Sequence, residues 1–515
     1  MKKAILIHYF IICLSSILLC QSNSDSLVKF AELRFHTDFE ENVIKTYKQK
    51  STDTIKVFLG IDESMNTNEA KMFSNQYYNV FKAINNKKID TKSTAKKIKI
   101  VYPIVHDYFL KKYSTDDYFP SVFKTGAYNC VTASALYAMV FDKLKIPYKV
   151  MASPEHAYLI GNPGESSIVI ETTNPNFEKA IFTGEYKQQY VNYLRSSKLI
   201  SESEYKNKST AEIFEEKFNE VKEVSFDNLI GIQYYNKALS KFQNNEYDIA
   251  YILCQKAYFF FPDLQVKTLL NGSLLFVVQN CKFDKVSDID YLSQLSRFES
   301  INQDLIVGVF NNVLNYYLQY TDKDNYCDSL FQRLIPQIKN KSEIEEISFN
   351  YYWRMSQRFF PKQKSEYYIL NALKIKGNHK DANSMLAAFL YNKFSSIYEP
   401  NAILDTIQKL EPKIRYDQAS NVLKDYRRIA WLKLAEAMYK DNKPIQGDKY
   451  LLQFESDCPA PVENMLVGHT IESTYRSISV YYYYKNQKAK AKSYIEKALK
   501  YVPNSILIKS ATYED

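Results

Sequence analysis

Glycine and proline are scarce, 11 and 15 among 515 residues, which argues against collagen, mucin-like stalks and a turn-dense all-β chain. Arginine is rarer still, at ten residues, and the lysines are dispersed among acids. A nucleic-acid partner calls for a basic stripe and a recognisable module. With neither, the net charge of +9 reads as a solvated, lysine-rich surface, and no nucleic acid is expected. Histidine is sparse as well, at six residues, with no HExxH and no cysteine pair at short zinc spacing. Glycine-rich phosphate loops are missing. Neither a metal nor another cofactor is expected. After the N-terminal stretch, no segment approaches the roughly 20 apolar residues that cross a bilayer. Leu269 to Val278 is the most apolar run and has the length of a buried helix.

What is present begins at the N-terminus. Met1-Lys2-Lys3 is positive, and Ala4 to Leu19 is almost wholly apolar before polar residues take over at Gln21. That is the layout of a bacterial secretory signal over residues 1–19, with a retained anchor as the other outcome. Loss of Lys2 and Lys3 with the signal leaves a net charge of +7. Ile17-Leu18-Leu19-Cys20 resembles a lipobox, in which the cysteine after the cleavage site takes a diacylglycerol through a thioether; Leu19 stands where a small residue is usual. Lipidation at Cys20 and a tether over 20–26 are therefore expected. They imply a cell-envelope location, lipid-anchored to the outer or cytoplasmic membrane, with the rest of the chain outside the cytoplasm. Ordinary secretion is the alternative. Cys130, Cys254, Cys281, Cys327 and Cys458 are widely separated and odd in number, which does not read as a disulfide framework.

Apolar residues make up 46% and charged residues 24%, enough for roughly two to four packed domains. The 44 Tyr and 31 Phe read as filling between helices. Residues 27–93 form an expected helical lead-in, with helical periodicity over Leu27 to Lys50 and Ala70 to Ile84. Residues 94–221 open with a third helix, Thr94 to Tyr113, which Pro103 should bend or divide. The pattern then changes. Cys130 to Lys143 is helical, with Ala133, Leu136, Tyr137, Val140 and Leu144 at intervals of three and four. Tyr148 to Ala152, Ala157 to Ile160 and Ser167 to Thr172 read as short strands, the last two joined by Gly161-Asn162-Pro163-Gly164.

From 222 to 515 strands nearly vanish and helix pairs take over. A constant offset of 241 aligns Phe242 with Tyr483, Asn245 with Asn486, Ala250 with Ala491, Ala257 with Ala498, Phe260 with Tyr501 and Pro262 with Pro503. Small residues at close contacts, aromatics between helices and a closing proline resemble the tetratricopeptide repeat. Ala382 to Pro400 and Trp431 to Pro459 are looser versions. The fold class expected is mainly α: a small α+β domain followed by an α-helical repeat solenoid. An irregular helical array is the alternative.

Chemistry concentrates in the α+β part. Cys130 starts a helix, where unpaired N–H groups and the helix dipole favour a thiolate. His156 opens a strand and can take or hold the thiol proton; Glu171, near the end of the next strand, can fix the far ring nitrogen. The Cys130 N–H can donate to an oxyanion, helped by a polar side chain such as Asn129 or Tyr128. Bland readings exist for each: a helix-packing cysteine, a satisfied strand histidine, a strand-edge carboxylate. His106 lies on the preceding helix and reads as core or surface.

Asn129-Cys130 before a helix, Leu144 to Pro147 turning into a strand, His156-Ala157 and a following carboxylate-bearing strand resemble the transglutaminase-like superfamily of papain-type folds. The likeness covers about residues 95 to 185. It implies a nucleophile at Cys130, a base at His156 and an orienting carboxylate at Glu171, where aspartate is usual. Two functions are expected, the first from this likeness and the second from the long helical array. One is a cell-envelope cysteine hydrolase or acyltransferase that acts on peptide or isopeptide amides. The other is a non-catalytic, membrane-tethered interaction or assembly protein that binds peptide or protein partners on its helical repeats.

Overall fold

A computed structural model describes residues 27–49, 53–152, 156–164, 167–175, 188, 191–192, 195, 200–218, 221–321 and 323–511. The expected signal, the tether and Cys20 lie outside the described residues. The chain divides into two compact units, 1–282 with 294–300, and 283–293 with 301–515. The change from mixed to helical architecture, near residue 222, and the division into units thus fall at different places.

The first unit opens with helices α1 (Asp38–Lys48), α2 (Thr54–Leu59), α3 (Thr67–Asn85) and α4 (Thr94–Phe109). Thr37 and Asn66 cap the first and third through their side-chain oxygens, which satisfies N–H groups with no helical partner. The stretch expected to be helical from Leu27 to Lys50 is interrupted by this cap. Helix α4 runs through Pro103 and ends at Phe109, short of Tyr113. Lys112 and Tyr113 instead form strand β1, parallel to β2 (Ala127–Tyr128).

After α5 (Phe119–Lys124), helix α6 (Cys130–Lys143) is buried on every face from Cys130 to Phe141. A helix apolar all round belongs in a core. It packs against a sheet of β3 (Tyr148–Ala152), β4 (Ala157–Gly161), β5 (Ile168–Ile170) and β6 (Lys222–Val224), in the antiparallel order β5-β4-β3-β6. Its buried Ser134 hydroxyl reaches the Ala157 carbonyl at 3.0 Å and the Thr172 hydroxyl at 2.9 Å. Tyr102 of α4 stacks on Tyr137 of α6, ring centroids 4.8 Å apart.

After β6 this unit continues with α7 (Phe226–Gln243), α8 (Tyr247–Phe260) and α9 (Leu264–Asn280). A Cβ on Gly231 would lie 2.4 Å from the Phe261 Cβ and 2.8 Å from its N, so only glycine permits this approach. The lead-in is joined to α8 by Lys256 and Glu40, both buried, 2.6 Å apart. Tyr234 of α7 donates to the same carboxylate at 2.8 Å.

The second unit is helical throughout its described residues. Its later helices are α10 (Lys380–Ser395), α11 (Pro400–Leu410), α12 (Asp417–Lys440), α13 (Pro444–Asp457), α14 (Met465–Tyr484), α15 (Lys488–Tyr501) and a short α16 (Ile506–Lys509). Successive helices pack in pairs, as a helical repeat array does. Residues aligned in sequence occupy matching positions. Ala250, Ala257, Ala491 and Ala498 are all fully buried. Asn245 and Asn486 both adopt left-handed φ, 63° and 60°, two residues before the second helix of their pairs. Asn442, φ 60°, does so before α13, which brings the looser α12–α13 pair into the same pattern. Asparagine tolerates this conformation better than most non-glycine residues.

Candidate functional site

The start of α6 is fixed by its cap. The Asn129 side-chain oxygen accepts from the Thr132 N–H at 3.0 Å, and the Asn129 N–H donates to the Thr132 hydroxyl at 2.9 Å. The Asn129 amide nitrogen donates to the carbonyls of Asp117 at 2.7 Å and Thr115 at 3.4 Å. Asn129 therefore holds Cys130 at the first helical position, with its amide directed at backbone oxygens. Cys130 itself is buried, 7% exposed.

Strand register brings the other two side chains together. Leu159 pairs with Ile170, and continuing that alternation puts Tyr158 opposite Glu171 and His156 diagonally beside it on one face. His156 Nε2 lies 2.7 Å from Glu171 Oε2. The Cys130 side chain is near enough to the same imidazole to add to its charge balance. Burial pulls the His156 pKa down, but Glu171 and Cys130 outweigh it and push it up from 6.5 to about 10. The ring of Tyr158 lies nearly parallel to the imidazole, centroids 6.0 Å apart. Burial, with Glu171 adding, holds the Tyr158 and Tyr128 phenols above their ordinary value.

Thr173 and Tyr102, both outside the expected set, complete the network. The second carboxylate oxygen, Glu171 Oε1, accepts from the Thr173 hydroxyl at 2.6 Å and the Thr173 N–H at 3.2 Å. Tyr102 donates its hydroxyl to the Glu171 carbonyl at 2.6 Å. Tyr128 donates to the Thr173 carbonyl at 3.2 Å and lies 3.4 Å from His106 Nε2. His106 is buried, and that burial lowers its pKa. Thr173 had a sequence signal, since a hydroxyl two residues after a carboxylate readily closes a local turn. Tyr102 had none.

The arrangement sets an imidazole on a carboxylate, with a thiol nearby at a helix N-terminus. Among the described residues no group of three or more His, Cys, Asp or Glu is arranged to hold a metal ion. No described helix is long and apolar enough to cross a membrane. The chain matches no protein-family model and no curated protein.

Proposed function

We propose that this protein is an interaction and assembly protein whose tetratricopeptide-like helical array is its binding surface. The supporting observation is a groove of about 680 Å³ between α12 and α14. Its lining combines carboxylates (Glu436, Glu472), a guanidinium (Arg476), tyrosines (Tyr439, Tyr481) and a leucine (Leu507). That mixture suits an extended polypeptide, which offers charged, polar and apolar side chains in turn. The thiol site gives less access: Cys130 and His156 are 7% and 9% exposed. Binding to an array of immobilised peptides, measured with the full mature chain, tests the reading. Leu507→Asp and Arg476→Glu should each weaken capture at least tenfold with the melting temperature unchanged. Equal capture by both variants contradicts it. In this reading Cys20 carries the lipid that keeps the protein at the cell envelope. Metabolic labelling with a palmitate analogue should then mark the wild-type chain and leave Cys20→Ser unlabelled.

A second reading is favoured by one observation, the buried His156–Glu171 hydrogen bond at 2.7 Å with Cys130 close enough to act on the same imidazole. It is a transglutaminase-like, papain-type centre for acyl transfer on peptide or isopeptide amides. The Cys130 sulfur attacks the carbonyl carbon, the carbonyl electrons pass to oxygen, and the Cys130 N–H receives the oxyanion. Collapse to the thioester expels the amine, which takes its proton from His156. Water, or a second amine, then attacks the thioester and restores the thiol. Intact-mass detection of an acyl adduct on the wild-type chain and its absence from Cys130→Ala supports this reading. No adduct with any acyl donor of a diverse peptide set rejects it.

A further inference from the structure

The thiol reading requires Glu171 to keep one oxygen on His156, yet a glutamate side chain turns about three bonds. In the segment Glu171-Thr172-Thr173 the two threonines face opposite ways. Thr172 shares its hydroxyl with Ser134 at 2.9 Å, on the α6 side. Thr173 turns back, and both its N–H and its hydroxyl donate to Glu171 Oε1. The ends of the segment are tied as well, the Glu171 carbonyl by Tyr102 at 2.6 Å and the Thr173 carbonyl by Tyr128 at 3.2 Å.

We propose that Thr173 is a positioning residue, which clamps Oε1 of Glu171 so that Oε2 stays on His156. The inference rests on the thiol reading and names the device that keeps its carboxylate in line. The two donors fix the plane of the carboxylate, so its Oε2 meets the ring nitrogen without spending rotational freedom at each encounter. Cys130, Glu171 and Tyr158 face His156; Tyr102 and Tyr128 face Glu171, and His106 stands behind Tyr128.

Thr173→Val keeps the shape and the N–H and removes the hydroxyl; Thr173→Ser restores the hydroxyl. In the full mature chain with isotope-labelled histidine, the titration midpoint of His156 is followed by NMR, and Cys130 alkylation by mass spectrometry. Thr173→Val should lower the midpoint by about one pH unit, because an unclamped carboxylate turns away and stabilises the imidazolium less. Thr173→Ser should keep the wild-type midpoint. Tyr128→Phe, which frees the Thr173 carbonyl and gives up the contact with His106, should shift the midpoint the same way by less, and serves if Thr173→Val melts early. A midpoint that stays put or rises in Thr173→Val and Tyr128→Phe overturns the proposal. If wild-type Cys130 alkylates no faster than the partly exposed Cys281, the thiol reading fails; a midpoint that still depends on Thr173 would then leave the clamp standing.

Discussion

Both the mixed region around α6 and the helix pairs bury cysteines, but they surround them differently. In the helix pairs burial acts nearly alone. It pushes the Cys327 thiol up to about 12, with Asp324 and Asp328 adding, and Cys458 up to about 11. Cys254, fully buried in α8 of the first unit, is raised further still, eased only by Ser273. In the mixed region burial also works against charge on His156, yet a carboxylate and a thiol outweigh it. Neighbours of opposite sign, more than depth, separate a packing group from a group arranged for chemistry.

The contrast extends to hydroxyls. In the helix pairs they brace local geometry: Ser479 donates to the Ala491 carbonyl at 2.7 Å, and Tyr475 to Glu455 at 2.8 Å. Around Glu171 three hydroxyls, from Tyr102, Tyr128 and Thr173, converge on Glu171 and Thr173. Polar groups of that density inside a core are costly unless every one is satisfied, and here they are satisfied by one another.

The largest effect should come from the buried ion pair that ties α1 to α8. Glu40→Ala leaves Lys256 buried and uncompensated and should cost about 3–5 kcal/mol by denaturant unfolding. A loss under 1 kcal/mol would mean that polar burial there is as forgiving as on the surface. Next is Gly231→Ala, which forces a methyl against the Phe261 backbone and should cost about 1–3 kcal/mol. A neutral result would show that α7 and α8 can separate without loss.

Glu171→Gln should act through pH. The folded His156 pKa is raised, so its imidazolium stabilises the fold fully below 6.5 and progressively less as pH rises through about 10. Wild-type melting temperature should therefore fall more between pH 6 and pH 10 than that of Glu171→Gln. Parallel curves would sever His156 from Glu171. The smallest effect belongs to Lys149→Ala, which breaks a pair with Glu223 in which both side chains are solvent-exposed; it should change stability by under ~0.5 kcal/mol.

The sequence made much of this legible where one residue carries a local physical signal. Apolar residues at intervals of three and four located α6 to the residue, and alternation located β3. The order of Cys130, His156 and Glu171 placed a carboxylate-bearing strand beside the histidine, and Glu171 lies within hydrogen-bond distance of it. Pairing at long range was illegible. Strands β1, β2 and β6 are two or three residues long and exist only because distant partners hydrogen-bond them. Tyr102 and Tyr137 sit in helices whose periodicity predicts burial, while the hydroxyl of Tyr102 finds the Glu171 carbonyl 69 residues away. The division of units near residue 283 was hidden for the same reason, since Lys256 meets a glutamate in a helix that begins at Asp38.

The most direct measurement compares the cysteines themselves. The folded mature chain is treated with limiting iodoacetamide from pH 5 to 9, quenched, unfolded and labelled again with a heavy reagent, and each cysteine is read by mass spectrometry. Cys130 should alkylate with the fold intact and lead Cys254, Cys327 and Cys458 at every pH below 8. Its lead should disappear in His156→Ala, while the other three react only once the fold opens. If Cys130 stays as silent as Cys254 until unfolding, the two regions bury their thiols alike and the distinction drawn between them is wrong.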